Sequence, residues 1–215
     1  QMYYVKAEIS LQKGQYDDAI VNYQRFLSVH TGKQLIKDSY YKMGICHWIM
    51  GEPEEATAYF ELAKKNGWAK NEADKNAYHE LNSDHIASRQ LYILRYATDG
   101  GYYKKALKIH DNINVPELNE QDECEYYYRS ARLFHKVSDL QNAIKYYQKT
   151  MDCQQTKEWY FAPNSALQLG LIMKEQKNPQ EAKRYLSLIG EYDNYPYQNS
   201  IRQKAKTALE GLEGN

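Results

Sequence analysis

Arg129, Arg132 and Lys136 stand three and then four residues apart, so on a helix they share one face. Cations so placed could hold a carboxylate by charge-assisted hydrogen bonds, whether an acidic side chain or a chain terminus. An ordinary solvated helix face has the same composition. His79 and His85 are six residues apart with Glu80 and Asp84 between them. That is not His-Glu-x-x-His, and the spacing turns the two rings to different sides of a helix. His47 reads as a packed histidine. The chain has no Gly-x-Gly-x-x-Gly, phosphate-binding loop or Gly-x-Ser-x-Gly. Asp17-Asp18 and Glu54-Glu55 fall where helices start, and the helix dipole accounts for them. Cys46, Cys124 and Cys153 are odd in number, far apart and without Cys-x-x-Cys. Disulfide and zinc readings both fail on that pattern, leaving three small, partly buried residues. These residues imply no catalytic centre, no cofactor and no metal.

The elements that carry them repeat. A small residue, usually Gly, is followed five residues later by Ala and four after that by an aromatic or Leu. Gly14 leads to Ala19 and Tyr23, and Gly51 to Ala56 and Phe60. Looser copies run from Gly101 to Ala106 and His110, Ser138 to Ala143 and Tyr147, and Lys177 to Ala182 and Leu186. The alanines advance by 37, 50, 37 and 39 residues. A period in the thirties means stacked two-helix units. Gly14 stops one helix because it tolerates positive φ, and Asp17 and Asp18 open the next. Ala19, Ile20, Tyr23, Phe26 and Leu27 then follow helical spacing. A bulky side chain at Ala19 would hold the two helices apart.

The pattern resembles the tetratricopeptide repeat over nearly the whole chain. That family shows an aromatic, Leu-Gly three residues on, a second aromatic, Ala, an aromatic and a second Ala. The second unit carries Tyr40, Met43-Gly44, His47, Ala56, Phe60 and Ala63. The fourth has Tyr127, Ala131, Phe134, Ala143 and Tyr147, and the fifth Leu169-Gly170, Ala182, Leu186 and Ile189. The closing Pro of the family is mostly absent. The resemblance implies an all-α, right-handed α-α solenoid of about five hairpins, with a C-terminal capping helix. As one domain, 1–215, its units would span roughly 1–33, 37–67, 84–116, 120–153 and 160–191.

A stretch from Trp68 to Asp84 interrupts the phase. Ala69, Ala73, Ala77 and Leu81 recur every four residues, so the spacing predicts a helical insert within 68–83. Asn82-Ser83-Asp84 reads as the cap of a helix beginning near His85. Near the end, Ile201, Ala205, Ala208, Leu209 and Leu212 form the apolar stripe of a capping helix over 197–212.

Tyrosine dominates the aromatics, 22 against 4 phenylalanines. Many fall at repeat positions, where the ring packs and the hydroxyl finds a polar partner. Others follow directly after those positions. In the family the first helices line a concave face, which implies a binding surface of Tyr4, Tyr41, Trp48, Tyr92 and Arg95. Tyr128, Arg129, Arg132 and Lys136 would continue it, with Glu8, Lys42, Ile45 and His135 alongside. One end would be aromatic and the other basic, suited to an acidic protein or peptide. The Lys and Asn set with which some family members clamp a chain terminus is not visible.

Lys+Arg 28 equals Asp+Glu 28. The balance argues against nucleic acid, whose phosphates reward a positive excess. Mean hydropathy of −0.85 leaves no apolar run that could span a membrane. The function expected is therefore a non-catalytic protein- or peptide-binding scaffold or adaptor. The alternative is a sensory or regulatory module of a larger protein whose effector or anchoring segment lies outside this chain. The start at Gln1 suits a processed product or fragment. The C-terminal part is also similar to the ends of longer repeat proteins attached to bacterial envelopes or to organelle and lipid-droplet surfaces.

Overall fold

Five turns share one backbone device. Gly14, Gly51, Gly101, Ser138 and Lys177 all adopt positive φ, between 58° and 92°. Each lies five residues before a buried alanine. A left-handed residue at a helix end turns its N–H back onto the last carbonyls, as Gly14 does to Leu11 and Ser10. The chain can then reverse into a second helix.

The computed structural model describes residues 1–153 and 158–213. Among them are twelve α-helices and no strand. Five antiparallel pairs follow from the five turns: α1 (Met2–Lys13) with α2 (Tyr16–Val29), and α3 (Ile36–Met50) with α4 (Pro53–Lys65). After α5 (Glu72–Leu81), α6 (Arg89–Asp99) pairs with α7 (Tyr103–Asn112), and α8 (Glu120–Lys136) with α9 (Leu140–Cys153). Last come α10 (Phe161–Glu175) with α11 (Pro179–Leu188), and α12 (Gln198–Glu213). The architecture is all-α and built of helical hairpins, as a helical-repeat chain requires.

The hairpins close at small residues. Ala19, Ala56, Ala106, Ala143 and Ala182 are at most 1% exposed. Twelve residues before each, on the partner helix, stand Ala7, Gly44, Leu94, Ala131 and Gly170. A Cβ on Gly44 would lie 2.5 Å from the Phe60 ring, and one on Gly170 would lie 2.6 Å from Leu186 Cγ. No side chain fits either position without moving its neighbour.

The contacts gather into two compact units, Gln1–Ile113 and Asn114–Asn215. In the first unit α2 packs on α3, and α5 packs against α3 and α4. The hairpin's α6 turns back onto α1 and α3. The insert helix begins at Glu72, with Asn71 capping Asp74 N–H at 2.9 Å, so Ala69 lies before it. The helix expected from His85 begins instead at Arg89. Ser83 Oγ accepts the His85 N–H at 3.2 Å, and the Trp48 indole N–H takes the Ala87 carbonyl at 3.0 Å. Those bonds hold 83–88 as a loop.

In the second unit α9 and α8 pack on α10, and α12 covers α10 and α11 with Ile201, Ala205 and Ala208 buried. The cysteine expectation is corrected here. Cys124 and Cys153 are disulfide-bonded, with Cα atoms 5.7 Å apart. They stand 14 and 15 residues either side of the turn at Ser138, so an antiparallel hairpin brings them together at its open end. Linear spacing conceals that proximity. Cys46 is free and buried.

Candidate functional site

The first helices of the N-terminal unit carry a buried charge cluster. Lys42 on α3 places Nζ 2.8 Å from Glu8 of α1 and 2.9 Å from Asp38 one turn earlier. Tyr4 donates its hydroxyl to Asp38 at 2.5 Å, and Tyr23 donates to Glu8. Burial works against the ammonium of Lys42, but the charges of Asp38 and Glu8 outweigh it and hold the pKa well above an ordinary lysine. Opposite charges are satisfied within the protein here, and α6 packs on both helices. Tyr4 is thus a half-buried part of the frame, its ring edge-on to Tyr23 and Phe26.

The same unit holds a cavity of about 290 Å³. Helices α3 and α4, the end of α5, its following loop and α6 line it, and it opens to solvent on one side. Tyr41, Trp48, Phe60 and Tyr92 supply aromatic walls, and Leu81 and Ile86 add apolar surface. Glu80, Asp84 and Lys64 bring charge to the lining. Trp48 is fixed by its bond to Ala87 and by the Arg89 guanidinium 5.4 Å from its ring centroid. Arg95 Nη1 holds Glu80 Oε1 at 3.1 Å.

Tyr41 is the unusual member. It is 3% exposed, yet its hydroxyl has no hydrogen-bond partner. Buried hydroxyls are usually paired, because an unmade bond leaves desolvation uncompensated. Burial, then the nearby Glu80 charge, push its phenol well above the ordinary value, so the group is neutral and can both donate and accept. His47, at the other end of α3, is half-buried, bonded to Glu52 at 2.6 Å and stacked on Tyr59.

The remaining expected residues lie on α8 in the C-terminal unit. Tyr128 is buried between Tyr160 and Phe161, and its hydroxyl accepts from Asn164 at 2.9 Å. Arg129 is 3% exposed, donates to Glu125 through Nε at 2.9 Å and Nη2 at 2.7 Å, and reaches the Tyr160 hydroxyl. Arg132 is half-buried and Lys136 exposed. The spacing argument put Arg129 on the same face as these two. It could not show that Glu125, one turn earlier, neutralises Arg129.

Three expected residues, Tyr41, Trp48 and Tyr92, meet at the cavity. Phe60 was legible only as a hairpin-packing residue. Glu80, Leu81 and the 83–86 stretch of the following loop were missed as lining, because they belong to the insert and the loop after it, whose resting place no repeat pattern specifies.

The family model of the tetratricopeptide repeat matches residues 1–29 and 37–65, the hairpins α1–α2 and α3–α4. Each of these two hairpins is similar to one tetratricopeptide repeat. Such repeats generally mediate protein–protein interaction and are typically non-catalytic scaffolds. No curated protein matches the chain. Both matched repeats lie in the N-terminal unit, and the second supplies Tyr41, Trp48 and Phe60 to the cavity.

Proposed function

We propose that this chain is a non-catalytic peptide-binding scaffold of the tetratricopeptide repeat kind, whose N-terminal unit receives one partner side chain in the aromatic cavity. The reading rests on the cavity itself, which Tyr41, Trp48, Phe60 and Tyr92 wall with aromatic surface. Aromatic walls give large contact area, and a few polar groups fix orientation. The volume suits a side chain or short segment better than a whole helix. Tyr41, Trp48 and Tyr92 are the residues on which affinity depends in this reading; Arg95 holds Glu80 of the lining.

The test is affinity capture from the source cell with wild-type protein and Trp48→Ala in parallel, followed by titration of the identified partner segment. Trp48→Ala should lower affinity by at least about tenfold, the loss typical of a buried aromatic anchor. Equal affinity in a folded Trp48→Ala variant would remove the cavity as the site.

A further inference from the structure

The first helix of a hairpin has two packing surfaces. One closes its own hairpin, and the other meets the hairpin before it, as α3 meets α2 and α10 meets α9. On α3, Ser39, Met43 and Cys46 stand 17, 13 and 10 residues before the hairpin alanine Ala56 and are at most 1% exposed. On α10, the same places before Ala182 hold Ser165, Leu169 and Ile172, equally buried, and the last two share a core with Tyr147 of α9. Counted back from Ala19, those places on α1 are Met2, Lys6 and Ile9. Here Met2 is 63% and Ile9 52% exposed, with Val5 between them at 54%. Met2, Val5 and Ile9 step by three and four residues, so they form one apolar stripe along the helix. Single exposed apolar residues are ordinary, but a contiguous stripe at positions that sister helices bury marks an interaction surface. Lys6 stands where Met43 and Leu169 stand, its Nζ 6.0 Å from the centroid of the Tyr3 ring. Its stem can lie under a covering helix while its ammonium reaches the edge.

We propose that the α1 stripe is a docking surface for the second helix of a further hairpin, carried by the same polypeptide ahead of Gln1. The uncovered stripe, not the position of Gln1, is what requires the cover. In both established cases the cover is the second helix of the hairpin immediately before: α2 for α3, and α9 for α10. A cover set by the same spacing has its hairpin alanine about 37 residues before Ala19, and a turn residue of positive φ five positions before that alanine. Its inner face carries apolar residues three and four apart against Met2, Val5 and Ile9, with a carboxylate in reach of Lys6.

The test sequences the transcript from its 5′ end and follows hydrogen exchange of the α1 amides in the whole encoded protein and in residues 1–215. The reading frame should encode the alanine and turn at that spacing. Wild-type α1 should exchange at least about tenfold more slowly in the whole protein than in 1–215, because the cover must open first. The double variant Val5→Glu, Ile9→Glu changes exposed side chains in 1–215, so exchange there should stay within about threefold. In the whole protein the same change buries two carboxylates and should speed α1 exchange at least about tenfold. A reading frame that starts too near Gln1 to encode a hairpin, or one that lacks the alanine and turn, overturns the proposal. Equal α1 exchange in the two wild-type proteins also overturns it. If the whole protein is a dimer by light scattering and the double variant dissolves it, a second copy covers the stripe and the proposal fails.

Discussion

Asp74 on the insert helix accepts the backbone N–H of Asp38 at 3.0 Å, and its other oxygen accepts that of Leu35 at 2.7 Å. The start of α3 has no side-chain cap of its own, and its N-cap Leu35 sits at positive φ. A fully buried carboxylate from outside the repeat therefore satisfies donors that the repeat leaves open. Asp74→Ala should cost about 2–3 kcal/mol, the usual loss for a charged acceptor that leaves buried donors unpaired. Urea unfolding would measure it. A change below about 0.5 kcal/mol, the ordinary scale for surface substitutions, would mean that the insert does not hold α3.

Lys42→Met should destabilise by about 3 kcal/mol, because Asp38 would remain as a buried charge without its cation and half-buried Glu8 would lose its partner. The pH dependence has a definite sign. The folded pKa of Lys42 is raised, so its contribution is full below about pH 10.4 and falls as pH climbs through the folded value. Wild-type stability should decline in the alkaline range, and Lys42→Met should decline less steeply there. Equal alkaline slopes would show that Lys42 is not held charged by its partners.

At equivalent turns, gaining and losing glycine should have opposite signs. Ser138 and Lys177 occupy left-handed conformations at φ 62° and 58°. Ser138→Gly and Lys177→Gly should each stabilise by about 0.5–1 kcal/mol, because Gly adopts this region without steric cost. Gly51→Ala, at φ 92° and with its new Cβ 3.0 Å from Arg89, should lose at least about 1 kcal/mol. Melting temperatures of the three variants would decide it.

Overpacking should be felt at the hairpin centres. Gly170→Ala would put Cβ 2.6 Å from Leu186 and 3.3 Å from the Ala182 carbonyl oxygen. Ala143→Leu would insert bulk where the residue is fully buried. Each should cost about 1–3 kcal/mol in denaturant titration. Tolerance of both would mean that the hairpins are wider than described.

The disulfide makes a chemical prediction. Protein isolated without reductant should be lighter by two hydrogen masses than after reduction, with Cys46 as the free thiol. Paired Cys124→Ala and Cys153→Ala should cost about 3.6 kcal/mol, the chain-entropy scale for a loop closed across 29 residues. Full alkylation of three cysteines in native-source protein denatured without reductant would refute the bond. Structural disulfides belong to oxidising compartments, so this measurement also bears on where the chain matures.

The hairpins were legible because their determinants are local. A left-handed turn residue, an alanine five positions on and an aromatic four beyond that follow from backbone geometry within one repeat, so Gly14–Ala19–Tyr23 and Gly51–Ala56–Phe60 could be read without the fold. The meeting of Tyr41 with Glu80, the pairing of Arg129 with Glu125 and the Cys124–Cys153 bond were not legible. Each depends on rotamers or on segments far apart in the chain, and several partners are compatible with any one spacing. The insert shows the limit most clearly. Its helical period was visible in Ala73, Ala77 and Leu81, but only packing against α3 and α4 brought Asp74 to the start of α3 and Glu80 to the cavity. Local periodicity determined which segments became helices. Competition among buried faces, settled by what each could satisfy or exclude from water, decided which residues became the site.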